Sequence, residues 1–220
     1  MDNKPTGWYV FAMSPSRSPA APARGTARDR LLDAAVQVVR ERGFGATTVD
    51  DLCGNAGVSK GAFFHHFASK EALGVAAAAH WSAHAASLFD DAPYRADPDP
   101  VARVLAYVDH RLALIEGMPA DFSCYAGTTV QEVHETSPAL RDACAASIFG
   151  HADSLASDFD AAIAARGVSG TSGLSLARHV QAVLQGGFIL SKAAGSPSPA
   201  REAVGHLKRY LQHLFGEEQP

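Results

Sequence analysis

The chain is short of several things that would commit it to other kinds of work. It has three cysteines in 220 residues, Cys53, Cys124 and Cys144, an odd number without framework spacing. That excludes a disulfide scaffold and fits a reducing cytoplasm. There is no Cys-x-x-Cys pair and no His-Glu-x-x-His. No stretch approaches the roughly 18 consecutive apolar residues of a membrane span. There is no Gly-x-Ser-x-Gly elbow, no phosphate-binding glycine loop and no familiar nucleophile–base spacing, so neither an enzyme nor a bound cofactor is expected. Strand-like alternation and tandem repeats are missing. Positive charge is missing too: the net charge is −4, low for a nucleic-acid binder. Residues 24–71 depart from that balance, with seven Lys and Arg against six Asp and Glu.

What remains is apolar residues at helical spacing, 47% of the chain being hydrophobic, and the reading is all-α. Residues 1–25 carry four prolines and no sustained period, and read as a flexible tail. Trp8–Phe11 is too short an apolar run for a secretion signal. Arg17, Arg24 and Arg28 could make the tail a basic arm on DNA. Thr26 and Asp29 form a capping box for a first helix whose buried stripe is Leu31, Leu32, Ala35, Val38 and Val39, ended by Gly43. Further helices are expected over about 69–89, from Pro100 to Gly117, over 121–135, over 138–166, over 173–194 and over 199–215. A short turn is expected within DDAPYRADPDP.

The most informative stretch is 47–73, TTVDDLCGNAGVSKGAFFHHFASKEAL. Thr48 and Asp51 make a second capping box. Val49, Leu52 and Cys53 share one face of the helix it starts. Gly57 sits at a sharp turn, where glycine reaches positive φ without steric cost. Val58 plugs the space between two helices, and Ser59 caps the second, held to the domain by Phe63 and Phe67. Ser69 caps a further helix with Lys70 in its first turn. Two short helices around a glycine-bearing turn make a helix-turn-helix, whose second helix enters the DNA major groove.

Over about residues 26–74, and most specifically in GVSKGAFFHHFASKEAL, the chain resembles the TetR family of transcriptional regulators. The resemblance implies a three-helix DNA-binding domain at 26–70 and a helical ligand-binding and dimerisation domain at 71–217. It also implies repression of a near-palindromic operator by a homodimer, relieved by a small-molecule effector. Carried over by motif, Thr48, Ser59, His66 and Lys70 contact phosphates, and Lys60, Gly61 and His65 lie nearest the base edges. Phe64 stands where the family usually has tyrosine. It either packs against sugar or a thymine methyl or closes the core of the small domain.

The rest of the chain offers candidates for sensing. Aromatic and polar residues recurring on inner faces nominate Trp81, His84, Leu88, Tyr107, His110, Leu114, Phe122, Cys124, Tyr125, Phe149 and Phe188 as liners of an effector pocket. At any one of these positions the alternative is plain core. The set suggests a modest, largely apolar effector with one or two hydrogen-bonding groups, and no cationic cluster for a phosphate. Cys124, near a helix start, is a candidate electrophile or oxidant sensor; the alternative is a packing thiol. His80 and His84 have a spacing metals use, with His110, Glu132 or His134 as a third ligand, but capping roles explain most such pairs and no metal site is expected. Gly186 and Gly187, inside a helix, imply a close approach by a partner helix, a neighbouring helix or a ligand. The helix starting at Ser69 spans from the DNA-binding region toward the pocket, and is the expected moving element.

Overall fold

The computed structural model describes residues 25–217 apart from Asp91. The arm expected from Arg17 and Arg24 therefore lies outside the described residues. The described residues form ten α-helices and no strand: α1 (Ala27–Arg42), α2 (Val49–Ala56), α3 (Lys60–His66), α4 (Lys70–Asp90), α5 (Pro100–Ala113), α6 (Pro119–Phe122), α7 (Tyr125–Val133), α8 (Pro138–Arg166), α9 (Gly173–Ala194) and α10 (Ser198–Leu214). A 3₁₀ turn, Pro93–Ala96, follows α4.

Local chemistry sets most of these boundaries. Thr26 and Thr48 each accept the amide three residues on, from Asp29 and Asp51, whose carboxylates accept the threonine amides in return. The threonine hydroxyls donate to the same carboxylates, and these bonds, followed by those from the threonine amides, hold both carboxyls below the usual range. Gly57 turns the chain between α2 and α3 at φ 62°. Asp99 caps α5, with Pro100 at its first position, where the missing N–H costs nothing.

Two expected helices are shorter than the sequence suggested. α5 stops at Ala113, because Ile115 leaves the helix to bury its side chain. The helix expected over 121–135 is two helices, since Ser123 and Cys124 are extended between α6 and α7. The break lets Phe122 pack on Phe188, with ring centroids 5.8 Å apart, and lets the Cys124 sulfur cap α7 through the amide of Gly127.

Packing divides the molecule into two cores. One joins Leu31, Leu52, Phe63 and Phe67 of the helix-turn-helix region to Leu73 and Ala77 of α4, Tyr125 of α7 and Leu140 of α8. The other joins Phe89, Tyr107, Phe159, Val180, Leu184 and Leu211, from α4, α5 and α8–α10. Each fully buried large side chain contributes about 1.5–3 kcal/mol. The first core runs continuously across residue 70, so the helix-turn-helix and α4 are packed directly on one another rather than joined by a linker. Gly187 packs against α10: a Cβ there would lie 3.1 Å from Cα of Ala200. At Gly186 a Cβ would meet open space.

Candidate DNA-binding face and effector cavity

In α3, Phe63 is fully buried while its neighbour Phe64 is 56% exposed, the two rings meeting edge to face at 5.1 Å. Phe63 and Phe67 close the small core, and Phe64 is left projecting from the helix. The alternative in which Phe64 fills that core is thereby overturned, because Phe63 already occupies the position. Lys60, Gly61 and His65 are exposed, and His66 is half-buried beside His65. A Cβ on Gly61 would meet only the Ser59 hydroxyl at 3.8 Å, so the fold itself does not require glycine there.

Several residues expected at phosphates, and Lys60 expected near the base edges, are engaged within the protein. The Thr48 hydroxyl donates to Asp51 and accepts its amide. The Ser59 hydroxyl accepts the amide of Ala62, leaving its proton for an outside acceptor. Lys60 pairs with Asp50 at 2.8 Å, which raises the lysine above its ordinary value. The Lys70 ammonium donates to the carbonyls of Phe44 and Thr47 at 2.9 and 2.8 Å and lies over the Phe44 ring. At most one of its three protons is left for a phosphate. Partial burial lowers its pKa. Its first task is to hold the loop between α1 and α2.

A cavity of about 490 Å³ lies among α1, α4, α5, α6, α8 and α9. From α4 it is lined by Trp81, His84, Leu88 and Phe89, from α6 by Phe122, from α8 by Ile148 and His151, and from α9 by Gln181, Gln185 and Phe188, with Leu114 and Cys124 between. Of the expected liners, Trp81, His84, Leu88, Leu114, Phe122, Cys124 and Phe188 are therefore brought together. Four expected liners are elsewhere. Tyr107 is buried behind His151, its hydroxyl 2.9 Å from Nε2 of that ring. His110 bonds the carbonyl of Leu88. Tyr125 is buried between α7 and α4, donating to the carbonyl of Gly74 at 3.1 Å. Phe149 is 51% exposed under the guanidinium of Arg178.

Charged side chains that the sequence pattern did not nominate also line the cavity. Arg40, Arg95 and Arg111 all border the cavity, with Asp90 and Asp121, against the expectation that no cationic cluster stands there. Arg95 donates to the carbonyl of Phe89 and pairs with Asp90 at 3.6 Å. Arg111 lies over the Phe89 ring at 5.1 Å. Arg40 comes from α1 and lies over the Trp81 ring at 4.9 Å. Burial, and then the field of Arg111 and Arg95, pushes His151 down to about 4, so it is neutral at pH 7. Burial pushes the Tyr107 phenol up to about 12. The Gln181 amide nitrogen is buried without an acceptor. A signal was there to read: Arg111 follows buried Tyr107 at i+4, and His151 follows Cys144 at i+7, both on inward stripes. Among the described residues no cluster of three metal-ligating side chains exists. The His80 ring is bonded to Asp33, and the Glu132 carboxylate to the amides of Phe44 and Gly45.

A capped helix-turn-helix packed on a helical body with a cavity defines the class of one-component helix-turn-helix regulators. The comparisons name the family. Residues 31–77 match the family described as bacterial regulatory proteins, tetR family, and residues 100–207 match the tetracyclin repressor-like C-terminal domain. The chain belongs to the TetR family. It is 43% identical over 56 residues to the HTH-type transcriptional repressor KstR2 of Mycolicibacterium smegmatis, covering 26% of each protein. It is 44% identical over 52 residues to the repressor DhaR of Mycobacterium sp., covering 24% of this chain and 26% of that one. These matches span about a quarter of the relatives' length. Reduced NemR of E. coli superposes with a TM-score of 0.68 at 26% identity, over 84% of this chain and 96% of that one. A TetR regulator from Chloroflexus aurantiacus superposes at 0.72 with 24% identity, over 84% and 94%. No described helix is long and apolar enough to cross a membrane.

Proposed function

We propose that this protein is a cytoplasmic, ligand-responsive repressor that binds a near-palindromic operator as a homodimer and is released by a small molecule held in the 490 Å³ cavity. The observation that carries the reading is the sharing of elements. α4 contributes Leu73 and Ala77 to the helix-turn-helix core and Trp81, His84 and Leu88 to the cavity wall. A ligand that repositions α4 must therefore move the DNA-binding helices, with a coupling typically of about 1–3 kcal/mol. KstR2 and DhaR are both repressors by name, which favours repression over activation.

At the operator, α3 lies in the major groove with Lys60, Gly61, Phe64 and His65 nearest the bases. The open space beside Gly61 fits close approach by DNA rather than any need of the fold. Ser59, His66 and the remaining proton of Lys70 face phosphates; Thr48 contributes mainly by holding α2 in place. The dimer is supported by Gly186, Ile189 and Leu190, at i, i+3 and i+4 on α9, the last two exposed and the first facing open space. Phe149 of α8, exposed beneath Arg178 of α9, adds apolar area beside that helix. Purified protein shifting DNA from its own upstream region, and eluting as a dimer, tests the reading. A monomer with full operator affinity would sink the dimer.

A second reading rests on Cys124, which borders the cavity at the start of α7. The solved NemR structure is of a reduced form, which makes a thiol response a fair competitor. A Cys124→Ser variant that keeps the full inducer response excludes it.

A further inference from the structure

We infer that the effector is an organic monocarboxylate with an apolar body, and that Arg40 of α1 binds its carboxylate. The inference rests on the cavity being the effector site and deepens it by naming the ligand's charge and the group that reads it.

Arg40 and Arg111 are the cavity arginines without a hydrogen bond or ion pair among the described residues, and of the two only Arg40 has a buried nitrogen left unpaired. It is half-buried, burial lowering its pKa, and its Nε is enclosed without a hydrogen-bond partner, which leaves the terminal nitrogens to meet a ligand. Among the described residues it makes no salt bridge, whereas Arg95 has Asp90. Asp121, the carboxylate at the same end, already accepts the amide of Met118 as the cap of α6. A desolvated guanidinium without an anion is costly. Its planar fork of donors matches a carboxylate in bidentate geometry. The Trp81 ring beneath it, at 4.9 Å, fixes its plane. The remaining wall, with Leu88, Leu114, Phe122 and Phe188, suits a hydrocarbon or aromatic body, so the ligand is amphipathic rather than a bare anion.

The position of Arg40 also gives the ligand a direct hold on the DNA-binding region. It is two residues from the end of α1, and the loop after α1 runs straight into the Thr48 cap of α2. A carboxylate drawn onto Arg40 acts on the helix against which α2 and α3 pack, without α4 as intermediary.

The test is binding of paired probes to the full-length protein at pH 7.5, by calorimetry. The pairs are n-alkanoates from hexanoate to tetradecanoate and the n-alkanols of equal length. At least one acid is expected to bind ten times or more tighter than its alcohol. Arg40→Met should bring acid down to alcohol, and Arg40→Lys, which keeps charge but loses the fork, should lose severalfold. Arg178→Met, outside the cavity, should change neither. Circular dichroism on each variant separates lost binding from lost fold, and Arg40→Lys serves if Arg40→Met does not fold. Equal binding of acid and alcohol throughout overturns the carboxylate while leaving the cavity as effector site. Acid preference that survives Arg40→Met but disappears in Arg111→Met overturns the role of Arg40. Binding undisturbed by a cavity-filling Leu114→Trp overturns the cavity reading itself.

Discussion

The carboxylate of Glu132, near the end of α7, accepts the backbone amide of Gly45, in the loop between α1 and α2, at 2.6 Å. Its other oxygen accepts the amide of Phe44 at 3.0 Å. The loop is thus held from the sensor side by Glu132 and from below by Lys70, which takes the carbonyls of Phe44 and Thr47. The same α7 begins at Cys124 on the cavity wall. One helix therefore borders the cavity at its start and holds the DNA-binding loop at its end.

That relationship predicts an uncoupling variant. Glu132→Ala removes two acceptors at an exposed site, so folding stability should fall by only about 1 kcal/mol. Effector affinity of the free protein should stay within about threefold. The effector's power to weaken operator binding should drop several-fold, measured as the ratio of operator affinities with and without ligand. An unchanged ratio would remove α7 from the coupling route.

Phe64 offers a cleaner separation of binding from folding. Because its side chain is exposed, Phe64→Ala should leave the melting temperature unchanged and weaken operator binding. Phe64→Tyr adds a hydroxyl to the same ring. One ordinary hydrogen bond to a phosphate would tighten binding by about 0.5–1.5 kcal/mol. Fluorescence anisotropy on one operator fragment, at fixed salt, reads both.

His151 predicts a pH dependence with a definite sign. Its folded value is about 4 against an ordinary 6.5, so folding favours the neutral ring. The stability this gives is complete above pH 6.5. It is lost as pH falls from 6.5 toward 4, where the unfolded chain takes up a proton that the folded one refuses. The loss approaches about 3 kcal/mol. Replacing His151 by Gln should flatten that part of the denaturation-versus-pH curve, while the loss at lower pH from Asp29 and Asp51 stays. An identical curve for the variant would contradict the assignment.

The α9 surface predicts the quaternary state. Ile189→Asp should leave the monomer folded, since that side chain is exposed, and shift the protein to monomer at micromolar concentration by light scattering. Operator affinity should fall with it.

The sequence was most legible where local rules act alone. Thr48 with Asp51, Gly57 and the Phe63–Phe67 pair fix the helix-turn-helix through caps, a turn and a four-residue period. The cavity was legible only in part, because which side of a buried stripe faces a void depends on contacts distant in sequence. Tyr107 and Tyr125 were aromatic and inward-facing as expected, yet one is blocked by His151 and the other serves the α4–α7 contact. Arg40 was illegible for a different reason. It belongs to the helix assigned to DNA binding, and only tertiary packing carries α1 up to the cavity.

The most direct measurement is footprinting of the protein on its own upstream region. The expected result is a protected, near-palindromic segment whose half-site centres lie roughly 34–36 Å apart or at a multiple of that spacing. Protection should be lost on adding the effector and absent for Ile189→Asp. Protection of a single asymmetric half-site, or none at any concentration that keeps the dimer intact, would contradict it.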